Sequence, residues 1–326
     1  MKQLDNEKEI KGNINTDIFE ETDSSLEEQT GVETVDRDNG IPLPIGEALT
    51  DEELYKLSSK KDINLVCILG PVACGKTTFE AMLYSMFLRQ INDDVLFSGS
   101  ETIVGFENLL NYVRINSGKP RVDMPRTPKE KRDKFYHMEL LYKPLNEKQN
   151  LILADVAGEL FETCKANKVN LDREVPFLDI AKNIAIFIDG EKLLNSNLRH
   201  SALFDAQSIL RTIKSSRQFK NGMDIDIIIS KNDKVAEKRA DAKTMSFIEN
   251  IEEQFKAYKD DFNIKVFRIQ ALNDYYAEID ESSTSLINML KYWLTKKECV
   301  DYMREEQHKC IQVKSYFNRF MEMSYE

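Results

Sequence analysis

Apolar residues gather into short runs along this chain, and the period changes from run to run. Ile63 to Leu69 is almost wholly apolar, the pattern of a strand covered on both faces. Thr78 to Arg89 places Phe79, Met82, Leu83, Met86 and Phe87 at helical spacing. Glu101 to Asn116 does the same with Ile103, Val104, Phe106, Leu109, Leu110 and Val113. Phe135 to Lys143 alternates Tyr136, Met138, Leu140 and Tyr142, the period of a half-buried strand. Pro144 to Asn150 reads as a hairpin turn, and Leu151 to Ala154 as the next strand. Three more β-branched runs follow, at Asn183 to Ile188, Ile225 to Ile229 and Ile264 to Ile269. Helical patterns over 193–219, 236–258 and 286–294 separate and follow them, and a short lead-in helix is expected within 42–61.

Strands alternating with helices predict an α/β fold of three layers. A mostly parallel six-stranded sheet would carry helices on both faces, with one antiparallel strand from the hairpin at 135–154. No internal repeat is visible. The expected division is an acidic, disordered N-terminal tail over 1–50 and one α/β domain over 51–295, with an insertion at about 91–134. An amphipathic helix over 296–326 would close the chain. That helix reads either as packed on the flank of the domain or as a partner-binding element.

Charge sharpens the division. The chain of 326 residues carries a net charge of −11. Residues 1–50 hold 13 acidic and 4 basic side chains, so the tail alone accounts for −9. A segment so acidic and so poor in aromatics cannot bury enough surface to offset chain entropy. It reads as a solvated tail, or as a partner-binding or autoinhibitory arm. The rest of the chain is close to neutral and gives no strong nucleic-acid signal. No run of about eighteen apolar residues suggests a membrane span. The start is polar, not a secretory signal. The five cysteines are scattered without a C-x-x-C pair. Together these predict a cytoplasmic protein without disulfides or a zinc site.

The junction of the first strand and helix carries the chemistry. Gly70-Pro71-Val72-Ala73-Cys74-Gly75-Lys76-Thr77 has the form G-x-x-x-x-G-K-T. Such a loop turns successive backbone N–H groups toward phosphate oxygens, a lysine reaches the outer phosphates, and a hydroxyl ligates Mg²⁺. The helix N-terminus adds its dipole. Gly70 and Gly75 are the turn glycines, Lys76 the phosphate lysine and Thr77 the metal hydroxyl, with Ala73, Cys74 and Thr78 completing the phosphate cradle. Asp155-Val156-Ala157-Gly158-Glu159 follows the strand ending at Ala154. An Asp at a strand end can hold Mg²⁺ through water, and a Gly three residues on lets the backbone meet a γ-phosphate.

Ser230-Lys231-Asn232-Asp233 directly follows Ile225 to Ile229. Here the chain resembles the Ras-like P-loop GTPases of the TRAFAC class, whose fourth motif is [NTS]-K-x-D. The resemblance spans roughly 63–295. It makes Asp233 the reader of the guanine edge, Lys231 the side chain over the base and Ser230 a neighbour of the nucleotide. Ala271 and Leu272, after Gln270, are similar to the family's weak fifth motif. A switch threonine must then lie between the first helix and the Asp155 strand. Thr127 is the best candidate, as a metal and catalytic residue, and Thr102 a weaker one. Arg126 is a candidate arginine supplied in cis.

One departure concerns catalysis. Ras-like proteins commonly have Gln where this chain has Glu159, and a carboxylate there meets the γ-phosphate with like charge. The D-V-A-G-E form, the long insertion and the acidic tail look like the bacterial double-GTPase families of genome-defence (conflict) systems. The resemblance implies a protein that binds GTP and GDP with Mg²⁺, hydrolyses GTP slowly, and controls a protein effector or second GTPase. An interaction module with little hydrolysis, or an ATPase, are the alternatives. The oligomeric state is not legible.

Overall fold

The computed structural model describes residues 46–89, 94–113, 134–232, 235, 242–270 and 281–295. All of them belong to one compact unit running from Pro44 onward. The expected tail, apart from residues 46–50, and the expected C-terminal helix lie outside the described residues.

Seven strands form one sheet in the order β2-β3-β4-β1-β5-β6-β7. They are β1 (Ile63–Leu69), β2 (Val95–Gly99), β3 (Lys134–Tyr142), β4 (Glu147–Asp155), β5 (Asn183–Asp189), β6 (Met223–Ser230) and β7 (Phe262–Arg268). β1 pairs in parallel with β4 and β5, and β6 and β7 continue the parallel run. β3 alone runs against its neighbours β2 and β4. The expected single antiparallel strand is present, but the sheet has seven strands, not six. The strand that went unread is β2, within the stretch taken as an insertion. It is a five-residue edge strand in which only Val95 is buried, too short for alternation to show.

The helices are α1 (Asp51–Ser58), α2 (Lys76–Leu88), α3 (Ile103–Val113), α4 (Gly158–Cys164), α5 (Lys168–Glu174), α6 (Gly190–Leu194), α7 (Arg199–Ser215), α8 (Ala242–Glu249) and α9 (Glu281–Leu294). A 3₁₀ segment spans Ile251–Tyr258. α1 starts on a capping box: the Thr50 hydroxyl accepts from the Glu53 N–H, and the Glu53 carboxylate accepts from the Thr50 N–H. The helix expected over 193–219 is two, α6 and α7, and that expected over 236–258 is α8 followed by the 3₁₀ segment. α4 and α5 were not foreseen. Each is only seven residues long, under the length at which a helical period declares itself.

Alternate residues of the central strands feed two separate cores. Leu65, Cys67 and Leu69 of β1 pack with Ile184, Ile186 and Ile188 of β5 and with Leu203, Leu210 and Ile213 of α7. Val66 and Ile68 pack on the opposite face with Phe79 and Leu83 of α2, Phe106 of α3 and Trp293 of α9. This is the period-two geometry of a sheet covered twice. Cys67, Cys74 and Cys164 are buried. No helix among the described residues is long and apolar enough to cross a membrane.

α9 is fastened by polar bonds as well as packing. The Trp293 indole donates to Asp226 Oδ2 at 2.8 Å, and Asn183 Nδ2 donates to the same oxygen at 2.7 Å. β1 lies between β4 and β5, and the chain winds away from it to either side. That arrangement opens a crevice at the C-terminal ends of the parallel strands.

Candidate functional site

Every motif within the described residues ends at that crevice. The loop after β1 is held in an unusual backbone form: Ala73 has φ 63° and Gly75 φ 95°. A left-handed alanine costs of order 1 kcal/mol, strain that functional loops commonly store. Gly75 caps α2 without any side-chain hydrogen bond, and the first turn of α2 carries no acidic residue. Its leading N–H groups and positive dipole end therefore suit an anion. The Lys76 side chain is buried and folds back over the loop. Its ammonium donates to Gly70 O at 2.8 Å and to Pro71 O at 3.3 Å. Thr77 and Thr78 follow it in the first turn, both half-buried.

β4 brings the second motif alongside. Asp155 pairs with Ile68 across the β1–β4 ladder, and Val156 N–H donates to Ile68 O at 3.2 Å. The buried Asp155 carboxyl thus stands beside the phosphate loop. Gly158 approaches the loop so closely that a Cβ there would lie 2.7 Å from Val72 N and 2.8 Å from Val72 Cα. Only glycine fits. Glu159 occupies the first turn of α4, half-buried, where the helix dipole favours a carboxylate.

The third motif is tied to the first by one hydroxyl. Ser230 Oγ donates to Cys74 O at 2.7 Å and is 3.2 Å from Ile188 O. That bond joins the end of β6 to the phosphate loop, a positioning role the motif alone did not reveal. Lys231 is left-handed at φ 53°, and its ammonium lies 2.8 Å from Asp189 Oδ2. Asp189 also caps α6 by accepting from Glu191 N–H. Asn232 N–H donates to Ile269 O at 3.1 Å, which fastens the motif to the end of β7.

Twelve of the expected site residues are therefore described and lie at or just beyond the C-terminal ends of β1, β4 and β6: Gly70, Ala73, Cys74, Gly75, Lys76, Thr77, Thr78, Asp155, Gly158, Glu159, Ser230 and Lys231. Arg126, Thr127, Asp233, Ala271 and Leu272 lie outside the described residues. Thr102, the weaker switch candidate, is fully buried: its hydroxyl accepts from His137 N–H at 2.9 Å. It holds α3 to β3 and is not placed to serve as a mobile metal ligand.

Sequence reasoning missed Asp189, Gly190 and Glu80. A Cβ at Gly190 would lie 2.3 Å from Ser230 O, so the turn after β5 needs glycine to pass the end of β6. The D-G step after an apolar run was the available signal. Glu80, one turn into α2, gave none, because helical spacing alone reads a lone Glu as solvent-facing.

A family model named Double-GTPase 2 matches residues 64–294, which take in all of these motifs. The chain belongs to the Double-GTPase 2 family. The matched span runs across β2 and the stretch read as an insertion. Solved structures similar to this Double-GTPase 2 chain include translation elongation factor SelB from Methanococcus maripaludis in complex with the GTP analogue GppNHp. The identity there is 14% and the TM-score 0.38, over 74% of this chain and 35% of that one. The S. cerevisiae Ski7 GTPase-like domain bound to GTP is similar at 13% identity and TM-score 0.42, over 76% of this chain and 53% of that one. The SRβ–GTP/SRX complex from Chaetomium thermophilum is similar at 14% identity and TM-score 0.35, over 66% and 93%. The chain thus spans about a third of the SelB chain and about half of the Ski7 chain. No curated protein matches it.

Proposed function

We propose that this protein binds GTP and GDP with Mg²⁺ in the crevice at the ends of β1, β4 and β6. It hydrolyses GTP slowly and acts as a switch on a protein partner. The observation that carries this is the Ser230–Cys74 hydrogen bond, which joins the lysine motif for phosphates to the S-K-N-D motif for the base. The Double-GTPase 2 family supports a second GTPase as the partner, and the conflict-system resemblance supports a setting in bacterial defence, in the cytoplasm.

The chain's own groups divide the work. The uncapped N-terminus of α2 and the Lys76 ammonium hold the β- and γ-phosphates. The Gly158 backbone meets the γ-phosphate beside them. Mg²⁺ fits the donors present, a Thr77 hydroxyl and a buried Asp155 carboxyl on adjoining elements. When bound, it neutralises charge on the phosphate oxygens. Asp233 reads the N1–H and N2–H₂ edge of guanine, Lys231 covers the base, and Ala271 and Leu272 border the guanine oxygen. Thr127 is the switch threonine, and Arg126 supplies cationic charge to the γ-phosphoryl group when a partner is bound. GTP binding and hydrolysis would order and release 119–134 and the segment after Asp155.

One observation favours a second reading, an interaction module that hardly turns over. Glu159 stands where a water-orienting Gln is common, and it places negative charge near the γ-phosphate. Single-turnover hydrolysis with purified GTP separates the two. Release of phosphate that quickens with partner and slows in Arg126→Ala supports the switch. No release in either state supports the module.

A further inference from the structure

Helix α2 carries an acid that the phosphate motif does not explain. Glu80 stands four residues after Lys76 and three after Thr77 on α2. Residues at those spacings share a helix face, so Glu80 lies one turn behind the phosphate lysine and the metal hydroxyl. It is fully buried. Among the described residues, neither of its carboxyl oxygens has a hydrogen-bond partner.

The charges around it belong to the nucleotide site. Asp155 of β4, Lys76 of α2 and Lys134 at the start of β3 all act on the Glu80 carboxyl. Lys134 stands opposite Asp155 in the β3–β4 ladder. Burial first, and the Asp155 charge second, push Glu80 well above the usual carboxylate range, while the two lysines pull it down. Tyr136, two residues after Lys134, senses both acids: burial first, then Glu80, then Asp155, raise its phenol. Two acids, two lysines and a phenol therefore converge where β3, β4 and the start of α2 meet.

A buried carboxyl without a partner is unfavourable, and cores retain one where something compensates for it. Here the compensating group must donate hydrogen bonds or carry positive charge. It must also come from the side of α2 that Glu80 shares with Lys76 and Thr77. Lys76 is engaged with Gly70 O and Pro71 O. Among the described residues, no group of three or more His, Cys, Asp or Glu can hold a metal alone. Mg²⁺ does not need such a group: it takes one or two carboxylates plus phosphate oxygens and keeps several waters, all of them donors.

We propose that Glu80 is a second acidic partner of the nucleotide-bound Mg²⁺, behind Asp155, accepting hydrogen bonds from the waters the metal retains. It is a positioning residue and touches no phosphate. The proposal rests on the Mg²⁺–guanine-nucleotide reading and adds a specific source of metal affinity to it. Groups that orient metal ligands from behind commonly set affinity by about ten- to a hundredfold.

The test uses the full chain, Glu80→Gln and Glu80→Met, with fluorescent mant-GDP as the probe. Its release rate is followed from EDTA through millimolar Mg²⁺. Both variants should need about tenfold more Mg²⁺ to slow release to the same degree. In EDTA, all three should release mant-GDP at one rate, and Glu80→Met should melt no lower than wild type, because no paired group is lost. Identical Mg²⁺ dependence in the three proteins overturns the proposal. So does a clear drop in the EDTA melting temperature of Glu80→Met, which marks Glu80 as an ordinary core group. Failure of the wild type to retain mant-GDP at any Mg²⁺ concentration overturns the nucleotide reading, and Glu80's role falls with it.

Discussion

The two ends of the proposed nucleotide site, a phosphate end at the loop after β1 and a base end after β6, are built in different ways. At the phosphate end the shape is set by main chain: a left-handed Ala73 and Gly75, carbonyls of Gly70 and Pro71 holding Lys76, and Gly158 pressed on the Val72 backbone. At the base end it is set by side chains: the Ser230 hydroxyl on Cys74 O and the Lys231 ammonium on Asp189. Main-chain geometry tolerates almost no change of residue at its tight points. Side-chain bonds can be removed singly and graded. Damage at the phosphate end should therefore affect every nucleotide, while damage at the base end should change which nucleotide is preferred.

The largest effect is expected at Lys76. Lys76→Ala should weaken GDP and GTP alike by roughly a hundredfold, the scale of a lost charge-assisted contact. Thr77→Ala should weaken them mainly in Mg²⁺. Fluorescence titrations with and without EDTA check both, and an equal loss for Thr77→Ala in EDTA would remove its metal role.

Next come the two tight glycines. A methyl at Gly158 meets Val72 N at 2.7 Å, and one at Gly190 meets Ser230 O at 2.3 Å. Overpacking of this kind costs about 1–3 kcal/mol, so both variants should melt lower. Gly158→Ala should lower affinity for GTP and ATP together, whereas Gly190→Ala should narrow the gap between them. Indistinguishable nucleotide profiles from the two variants would erase the division between the ends.

Ser230→Ala sharpens the comparison, because this hydroxyl joins the ends. Its loss leaves a buried Cys74 carbonyl short of a donor, a cost of about 1–3 kcal/mol. Melting temperature and guanine preference should fall together. A fall in one without the other would show that the bond does not couple them.

The smallest effect lies away from the crevice. His137 Nδ1 accepts from Glu101 N–H at 3.0 Å, so its other nitrogen carries the proton and faces Asn150 Oδ1 at 3.2 Å. Burial lowers its pKa below the ordinary 6.5. The unfolded chain then binds the proton more readily, so stability is full above about pH 6.5 and declines as pH falls below it. His137→Asn should flatten that part of the melting-temperature profile and leave nucleotide preference at pH 7.5 unchanged.

Much of this was legible beforehand, for physical reasons. β1 is apolar throughout because both its faces are covered, and its bounds match the run Ile63 to Leu69. The glycine-lysine loop was legible because phosphate binding by main chain restricts residue choice. β4 starts at Glu147, four residues before its apolar run. Glu147 to Gln149 pair with β3 through the ladder without facing a core, so no apolar signal marks them. Glu80 was hidden because α2 is buried nearly all round, at Phe79, Glu80, Ala81, Leu83, Tyr84, Ser85 and Met86. Helical period identifies a buried face only when the opposite face is wet.

Guanine recognition is the central claim, and competition at a single site tests it most directly. Unlabelled GTP, ATP and xanthosine triphosphate would each displace mant-GTP from the wild type and from Asp233→Asn, at fixed Mg²⁺. The account predicts that GTP displaces far better than ATP from the wild type, since only guanine offers paired donors to a carboxylate. It also predicts that Asp233→Asn weakens GTP and favours xanthosine triphosphate, which carries an acceptor where guanine carries an amine. Equal displacement by GTP and ATP from the wild type would contradict it.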